Sequence, residues 1–265
     1  MDSNITKGLF ACVVFFGTLF LFGGLVSALE ISVEPATAQR EIGGKVRIHV
    51  YANGATDLIS MGVKVTFDPA VLQVVEAKKF EKDAQGNIVW LMDGDGDPAT
   101  TEDQYSNPAV EIDNENGTVT MIGGRLTGTS TQGLSGKVLL GWIVFDAVGN
   151  GTTSLTVDLA KYGPGGPANK TFDNFVTVSA VVDEPINVPN QLGVICVLDE
   201  ACNADINENG YVDPGDFAIL RASMGKAFPD PSYDVSADLN ANGYVDPGDF
   251  AILRTKMGTT CAPCP

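Results

Sequence analysis

Hydrophobic and polar positions along this chain follow two different periods. From residue 30 to about residue 183 the period is two. Val46, Ile48 and Val50 alternate with Arg47, His49 and Tyr51, and Met61, Val63, Val65 and Phe67 alternate with Gly62, Lys64 and Thr66. Such runs put one apolar and one wet face on an extended strand. Further strands are predicted over residues 30–33, 118–122, 138–145, 153–157 and 175–182, between loops rich in Gly, Asn and Asp. Residues 71–75 fit either a single helical turn or a strand after the Asp68, Pro69 corner. Short strands separated by turn signals predict a β-sandwich.

Near the C-terminus the period becomes helical. Phe217, Leu220 and Met224, and again Phe250, Leu253 and Met257, fall at i, i+3 and i+7, on one helical face. Pro214 and Pro247 sit just inside the predicted helix starts, and Gly225 and Gly258 just past the ends. An acidic loop precedes each helix, and the whole unit occurs twice, 33 positions apart, with NGYVDPGDFAILR repeated letter for letter at 209–221 and 242–254. Asp205, Asn207, Asn209, Tyr211, Asp213 and Asp216 line up with Asp238, Asn240, Asn242, Tyr244, Asp246 and Asp249. Oxygen side chains at loop positions 1, 3, 5, 9 and 12, with the main-chain carbonyl at 7, suit a hard cation that takes six to eight oxygens, and calcium fits best. Two Ca2+ sites are therefore predicted. Gly210 and Gly243 hold position 6, where the loop turns through a conformation that a side chain obstructs. Position 12 is Asp216 or Asp249, one methylene shorter than the usual Glu. No apolar helix precedes the first loop, so each unit is half of an EF-hand.

Two such halves within residues 196 to about 260 resemble a type I dockerin, the calcium-dependent module that docks into cohesins. The resemblance implies that loop positions 10 and 11 and later helix residues face the partner, here Pro214, Gly215, Arg221 and Ala222, mirrored by Pro247, Gly248, Arg254 and Thr255. The chain departs from the common pattern at Pro-Gly, where hydroxyl side chains usually stand and none can donate a hydrogen bond. The stretch MGVKVTFDPAVLQVVEA at 61–77, and FDAVGNGTTSLTV at 145–157, are similar to cohesin sequence. The resulting expectation is a mainly β chain: a jelly-roll-like β-sandwich, cohesin- or carbohydrate-binding-module-like, then a small α-helical dockerin with two EF-hand-like calcium loops. The expected boundaries are a signal peptide at 1–28, the sandwich at 29–183, a linker at 184–195 and the dockerin at 196–265.

Charge narrows the partners. A formal net charge of −17 over 265 residues, with no basic patch, excludes nucleic acid. It also repels the compact chain against itself until cations bind, so folding and metal should be linked. Residues 9–26 form a nearly unbroken apolar run behind Lys7, followed by small residues, which predicts export; retained, the same run would anchor the chain in a membrane. Cys196, Cys202, Cys261 and Cys264 bracket the dockerin-like segment, and export favours disulfides over the alternative of a four-cysteine zinc knot. Three pairings are open. The ends of a dockerin lie close in that family, which would let such bridges clasp the module.

Other candidate chemistry is weaker. Asp93, Asp95 and Asp97 offer an additional low-grade metal site, but Pro98 replaces the position 6 glycine and no acid falls at position 12. His49, the only histidine, alternates outward and is read as a surface residue. Asn116, Asn150 and Asn169 each begin an Asn-x-Thr triplet. No Ser-His-Asp or zinc-hydrolase set is present, and no enzymatic activity is expected. The predicted function is secreted, calcium-dependent assembly through cohesin- or dockerin-bearing partners, including other copies of this chain, in extracellular polysaccharide-degrading or cell-surface complexes. One alternative is a carbohydrate-binding module tethered by a dockerin, with Trp90, Trp142 and Tyr51 as the aromatic candidates for polysaccharide. Another is a membrane-anchored or self-polymerising surface protein.

Overall fold

The computed structural model describes residues 29–78, 110–124, 134–159, 176–177, 186–187, 191–198, 203–228 and 230–261. The apolar N-terminal run, Trp90, Asp93, Asp95, Asp97, Asn169, Cys202 and Cys264 lie outside them. Among the described residues no helix is long and apolar enough to cross a membrane.

Strand β3 (Lys45–Thr66) organises the N-terminal part. Its first half pairs antiparallel with β1 (Leu29–Glu34) and β7 (Leu134–Ala147), and its second half with β6 (Thr118–Gly124) and β8 (Gly151–Leu159). Register shifts after Val50, Ala52 and Ala55 let it pass from one layer to the other. Asn53 and Gly54, a hairpin signal by sequence, lie inside this strand, with Gly54 at φ +74°. One layer is thus β10 (Ile186–Asn187), β1, β3, β7 and β4 (Leu72–Lys78). The other is β5 (Glu111–Asp113), β6, β3, β8, β11 (Gly193–Val197) and β2 (Thr37–Arg40). β9 (Val176–Thr177) adds to β3 at the crossover.

The alternating apolar residues point between the layers. Val46, Ile48, Val50, Val63, Val65, Met121, Phe145 and Leu155 are buried there, and the Phe67 and Phe145 rings meet edge-on at 5.0 Å. Each such side chain contributes roughly 1.5–3 kcal/mol on burial. Residues 72–75 form part of β4 and not a helical turn: Leu72, Gln73 and Val74 stand opposite Ala147, Asp146 and Phe145 of β7, while the Val74 amide and carbonyl bond the Asn114 side chain on the other edge. The hairpin from β5 to β6 turns where the Asp113 carboxylate accepts the Glu115 and Asn116 amides. Gly117 follows at φ +65°, and a Cβ there would fall 2.2 Å from the Phe67 carbonyl oxygen.

The expected linker differs from what the structure shows. Residues 193–197 form β11, antiparallel to β8 and parallel to β2, with Ile195, Cys196 and Val197 buried. Cys196 therefore belongs to the sandwich. The prolines at 185 and 189 masked this strand, whose pairing partners are distant in sequence.

The C-terminal part holds α1 (Pro214–Ser223) and α2 (Pro247–Lys256), packed as symmetry mates. Phe217 and Phe250 meet at 5.4 Å between ring centroids, and Leu220 and Leu253 are fully buried with Val212, Val245, Ala204, Ala237 and Leu239. Backbone bonds repeat with the sequence: Val212 N to Thr259 O at 3.0 Å and Gly258 N to Val212 O at 2.8 Å match Val245 N to Lys226 O at 2.8 Å and Gly225 N to Val245 O at 2.7 Å. Each repeat thus closes the other.

Candidate functional site

The two acidic loops fold alike. In the first, Gly210 N donates to Asp205 Oδ2 at 2.9 Å, and Asn209 N donates to Asp205 Oδ1 at 3.1 Å and Asn207 Oδ1 at 3.0 Å. In the second, Gly243 N donates to Asp238 Oδ2 at 2.8 Å, and Asn242 N donates to Asp238 Oδ1 and Asn240 Oδ1, both at 3.0 Å. Gly210 and Gly243 take φ +91° and +90°, the left-handed turn expected at position 6. Glu208 and Ala241, at position 4, are left-handed as well.

Position 12 does two things in each loop. Asp216 Oδ1 accepts the Ile206 and Asn207 amides and its Oδ2 accepts the Asp213 amide, while the Asp213 side chain caps α1 in return. Asp249 and Asp246 form the same reciprocal capping box at α2. The carboxylate at 12 therefore ties loop start to helix start. Tyr211 and Tyr244 are exposed at position 7. Asn209 and Asn242 reach Asp213 and Asp246 at 3.4 and 3.1 Å.

Among the described residues no group of three His, Cys, Asp or Glu side chains is arranged to hold an ion alone. The donors in each loop are mixed, three carboxylates with two amide oxygens and a main-chain carbonyl, and that set matches the hard-oxygen preference of calcium. Burial raises the carboxyls of Asp205, Asp238 and Asp249 above the ordinary range, against the backbone hydrogen bonds that lower them. A divalent cation would relieve that penalty. The residues fit the ion.

The eight predicted partner positions, Pro214, Gly215, Arg221, Ala222, Pro247, Gly248, Arg254 and Thr255, are all exposed. They lie on the starts and outer faces of α1 and α2. A different surface of this unit meets the sandwich. Arg47, His49 and Tyr51, the wet face of β3, are covered: Arg47 and His49 are 8% and 1% exposed. The Arg47 guanidinium lies 4.1 Å from the Trp142 ring centroid, donates from Nη2 to the Ala241 carbonyl at 3.1 Å, and brings Nε to 3.6 Å from Asp238 Oδ2. His49 packs against Phe228 and Tyr233 at 5.4 and 5.9 Å, and Tyr233 donates to Asp238 Oδ2 at 2.8 Å. Leu139, Trp142, Val144 and Ala241 form a small apolar cluster with Tyr51 and Phe228, and Lys256 pairs with Glu41 at the edge.

His49 is thus an interface residue and not a surface one. Its pKa is lowered to about 3, first by burial and then by the charges of Arg47 and Lys137. Burial of Trp142 beneath Arg47 also removes it as a sugar platform. Sequence reasoning passed over this contact. The sequence carries one signal of it, the change at loop position 4, and the strand pairing shows why it falls here. Trp142 is paired in register with His49, and position 4 of the loops, Glu208 in one repeat, is Ala241 in the other.

Cys196 and Cys261 are both disulfide-bonded, which removes them from a zinc knot. Asn116 is exposed at its hairpin turn and Asn150 at the β7 to β8 turn.

Comparison with known proteins gives a name to the C-terminal unit. Residues 203–258 match the family model of the Dockerin type I domain. No curated protein matches the chain. Among solved structures, similar ones include a cohesin from Clostridium acetobutylicum (18% identity, TM-score 0.43, covering 66% of this chain and 93% of that one). Another is the seventh ScaB type I cohesin from Pseudobacteroides cellulosolvens (13%, 0.41, 66% and 94%). A third is a non-cellulosomal cohesin from the archaeon Archaeoglobus fulgidus (11%, 0.39, 64% and 90%). The dockerin match contains both loops and both helices and ends before Thr260, which pairs with Tyr211.

Proposed function

We propose that this protein is a secreted, non-catalytic adaptor in which the dockerin unit, ordered by two calcium ions, recruits a cohesin-type partner in an extracellular or cell-surface assembly. One observation carries the reading. The two helices pack against each other through Phe217, Leu220, Phe250 and Leu253, and all eight candidate contact positions stay solvent-exposed on the side away from that packing. Arg221 and Arg254 then give fixed positive charge on related surfaces, suited to an acidic partner face. The Pro-Gly pair at loop positions 10 and 11 offers shape and backbone, not hydroxyls, and so selects against cohesins that need a hydroxyl donor. Polysaccharide contact by the chain itself has less support, since Trp142 is buried and Tyr51 half-buried under the dockerin.

The test is capture of a panel of cohesins by the immobilised chain in calcium and in chelator, with Arg221→Glu and Arg254→Glu combined. Calcium-dependent capture lost in the double variant supports the proposal; capture indifferent to calcium and to both arginines refutes it. Light scattering of the purified chain covers head-to-tail assembly of copies. A monomer with and without calcium removes that part of the reading.

A further inference from the structure

The two calcium loops are a matched pair in unmatched surroundings. They are identical at ten of twelve positions and share the same turn angles, yet Asp205 is half-buried and its counterpart Asp238 is fully buried. Position 4 is an exposed Glu208 in one and Ala241, 4% exposed, in the other. Beyond the differences at positions 2 and 4, what separates them is contact with the sandwich and with Tyr233, which the second loop alone makes through Asp238 and Ala241. Two routes converge on one oxygen, Asp238 Oδ2: Trp142 beneath Arg47, whose Nε is buried with no hydrogen-bond partner, and His49 against Tyr233. The loop itself donates to both oxygens of Asp238, the Gly243 amide to Oδ2 and the Asn242 amide to Oδ1. The Ala241 carbonyl, set by a left-handed residue, is the second fixed point. Gly243 abuts the Arg47 guanidinium at ordinary contact distance, and its φ of +90° is what calls for glycine there.

We infer that Arg47 of the sandwich is a positioning residue for the second calcium loop, so that cation uptake by that loop and seating of the dockerin on the β1–β3–β7–β4 layer form one linked equilibrium. The inference rests on the calcium reading above. The contact uses loop atoms in one fixed arrangement: Asp238 Oδ2 accepts from the Tyr233 hydroxyl, and the Ala241 carbonyl accepts from Arg47. With the cation absent, three carboxylates repel one another and that arrangement loosens. With the cation present the loop keeps a formal charge of −1, from three Asp against one divalent ion, and Arg47 neutralises it. Linkage is reciprocal, so a seated dockerin tightens the second loop by the same factor that the cation tightens the seat. The first loop, whose position 4 carries Glu208, is the built-in control.

The experiment uses the full chain. Asn207→Ala with Asn209→Ala disables the first loop, and Asn240→Ala with Asn242→Ala disables the second, leaving Asp238 in place. Calcium titration then reads one loop at a time, with Trp90→Phe throughout so that Trp142 fluorescence alone reports the seat. Arg47→Met, which keeps the packing over Trp142, is expected to weaken the second loop about tenfold or more, and to leave the first unchanged. Chelator, or loss of the second loop alone, is expected to red-shift Trp142 and open it to quencher. Equal effects of Arg47→Met on both loops, or on neither, overturn the linkage while leaving the calcium reading intact. Absence of binding in the parent chain overturns both. A tighter second loop in Arg47→Met would show that Arg47 competes with the cation, and would also overturn the inference.

Discussion

Lowering the pH from about 7.5 to about 5 should weaken the fold through His49, the chain's only histidine. The ring is enclosed by Tyr51, Phe228 and Tyr233 and faced by the charges of Arg47 and Lys137, and its pKa falls to about 3 from an ordinary 6.5. The folded state thus keeps the ring neutral while the unfolded chain protonates it. Stability conferred this way is fully present above about pH 6.5 and lost as pH falls toward about 3. Between those limits each pH unit costs about 1.4 kcal/mol, so about 2 kcal/mol is gone at pH 5. Urea denaturation of the parent and of His49→Phe at both pH values isolates the effect, because the carboxylates are common to both proteins. The parent should lose about 2 kcal/mol more than the variant. Nuclear magnetic resonance of the single imidazole gives the same answer directly, with a signal that stays flat between about pH 8 and 5. A titration centred near 6.5 in the intact chain would mean that this sheet face is open to water and that the dockerin does not sit on it.

Two other substitutions test the packing of the C-terminal unit. Leu253→Ala, at a fully buried position between the repeats, should cost about 2–5 kcal/mol in urea denaturation with calcium present. Asp246→Ala removes the N-cap of α2, which accepts the Gly248 amide at 2.6 Å. It should cost about 1 kcal/mol and weaken calcium at the second loop more than at the first, read by calorimetry.

Local chemistry made the C-terminal unit legible. Oxygens at fixed spacing, Gly210 and Gly243 where φ is positive, proline at N1 and glycine after each helix are all read within one repeat, and the duplication doubles the signal. The structure adds the capping boxes of Asp213 with Asp216 and Asp246 with Asp249, which were present as Asp-Pro-Gly-Asp but went unread. In the sandwich, alternation gave most strands, since a half-buried strand declares its faces. It did not give β11, whose backbone is paired by β8 and β2 from far along the chain, nor the run of β3 through Asn53 and Gly54. Nor did it show that the polar face of β3 is buried. Arg47, His49 and Tyr51 look solvated by type, and only the approach of Ala241, Phe228 and Tyr233 from nearly two hundred residues away makes them an interface.

The central claim is that two oxygen-lined loops take up calcium and thereby order the dockerin. Isothermal calorimetry of the intact chain tests it most directly. Two calcium ions per chain are expected, with a melting temperature that drops on chelation, since each site at a free concentration a hundredfold above its Kd contributes about 2.7 kcal/mol. No heat of calcium uptake, together with a melting curve unchanged by chelator, would contradict the account.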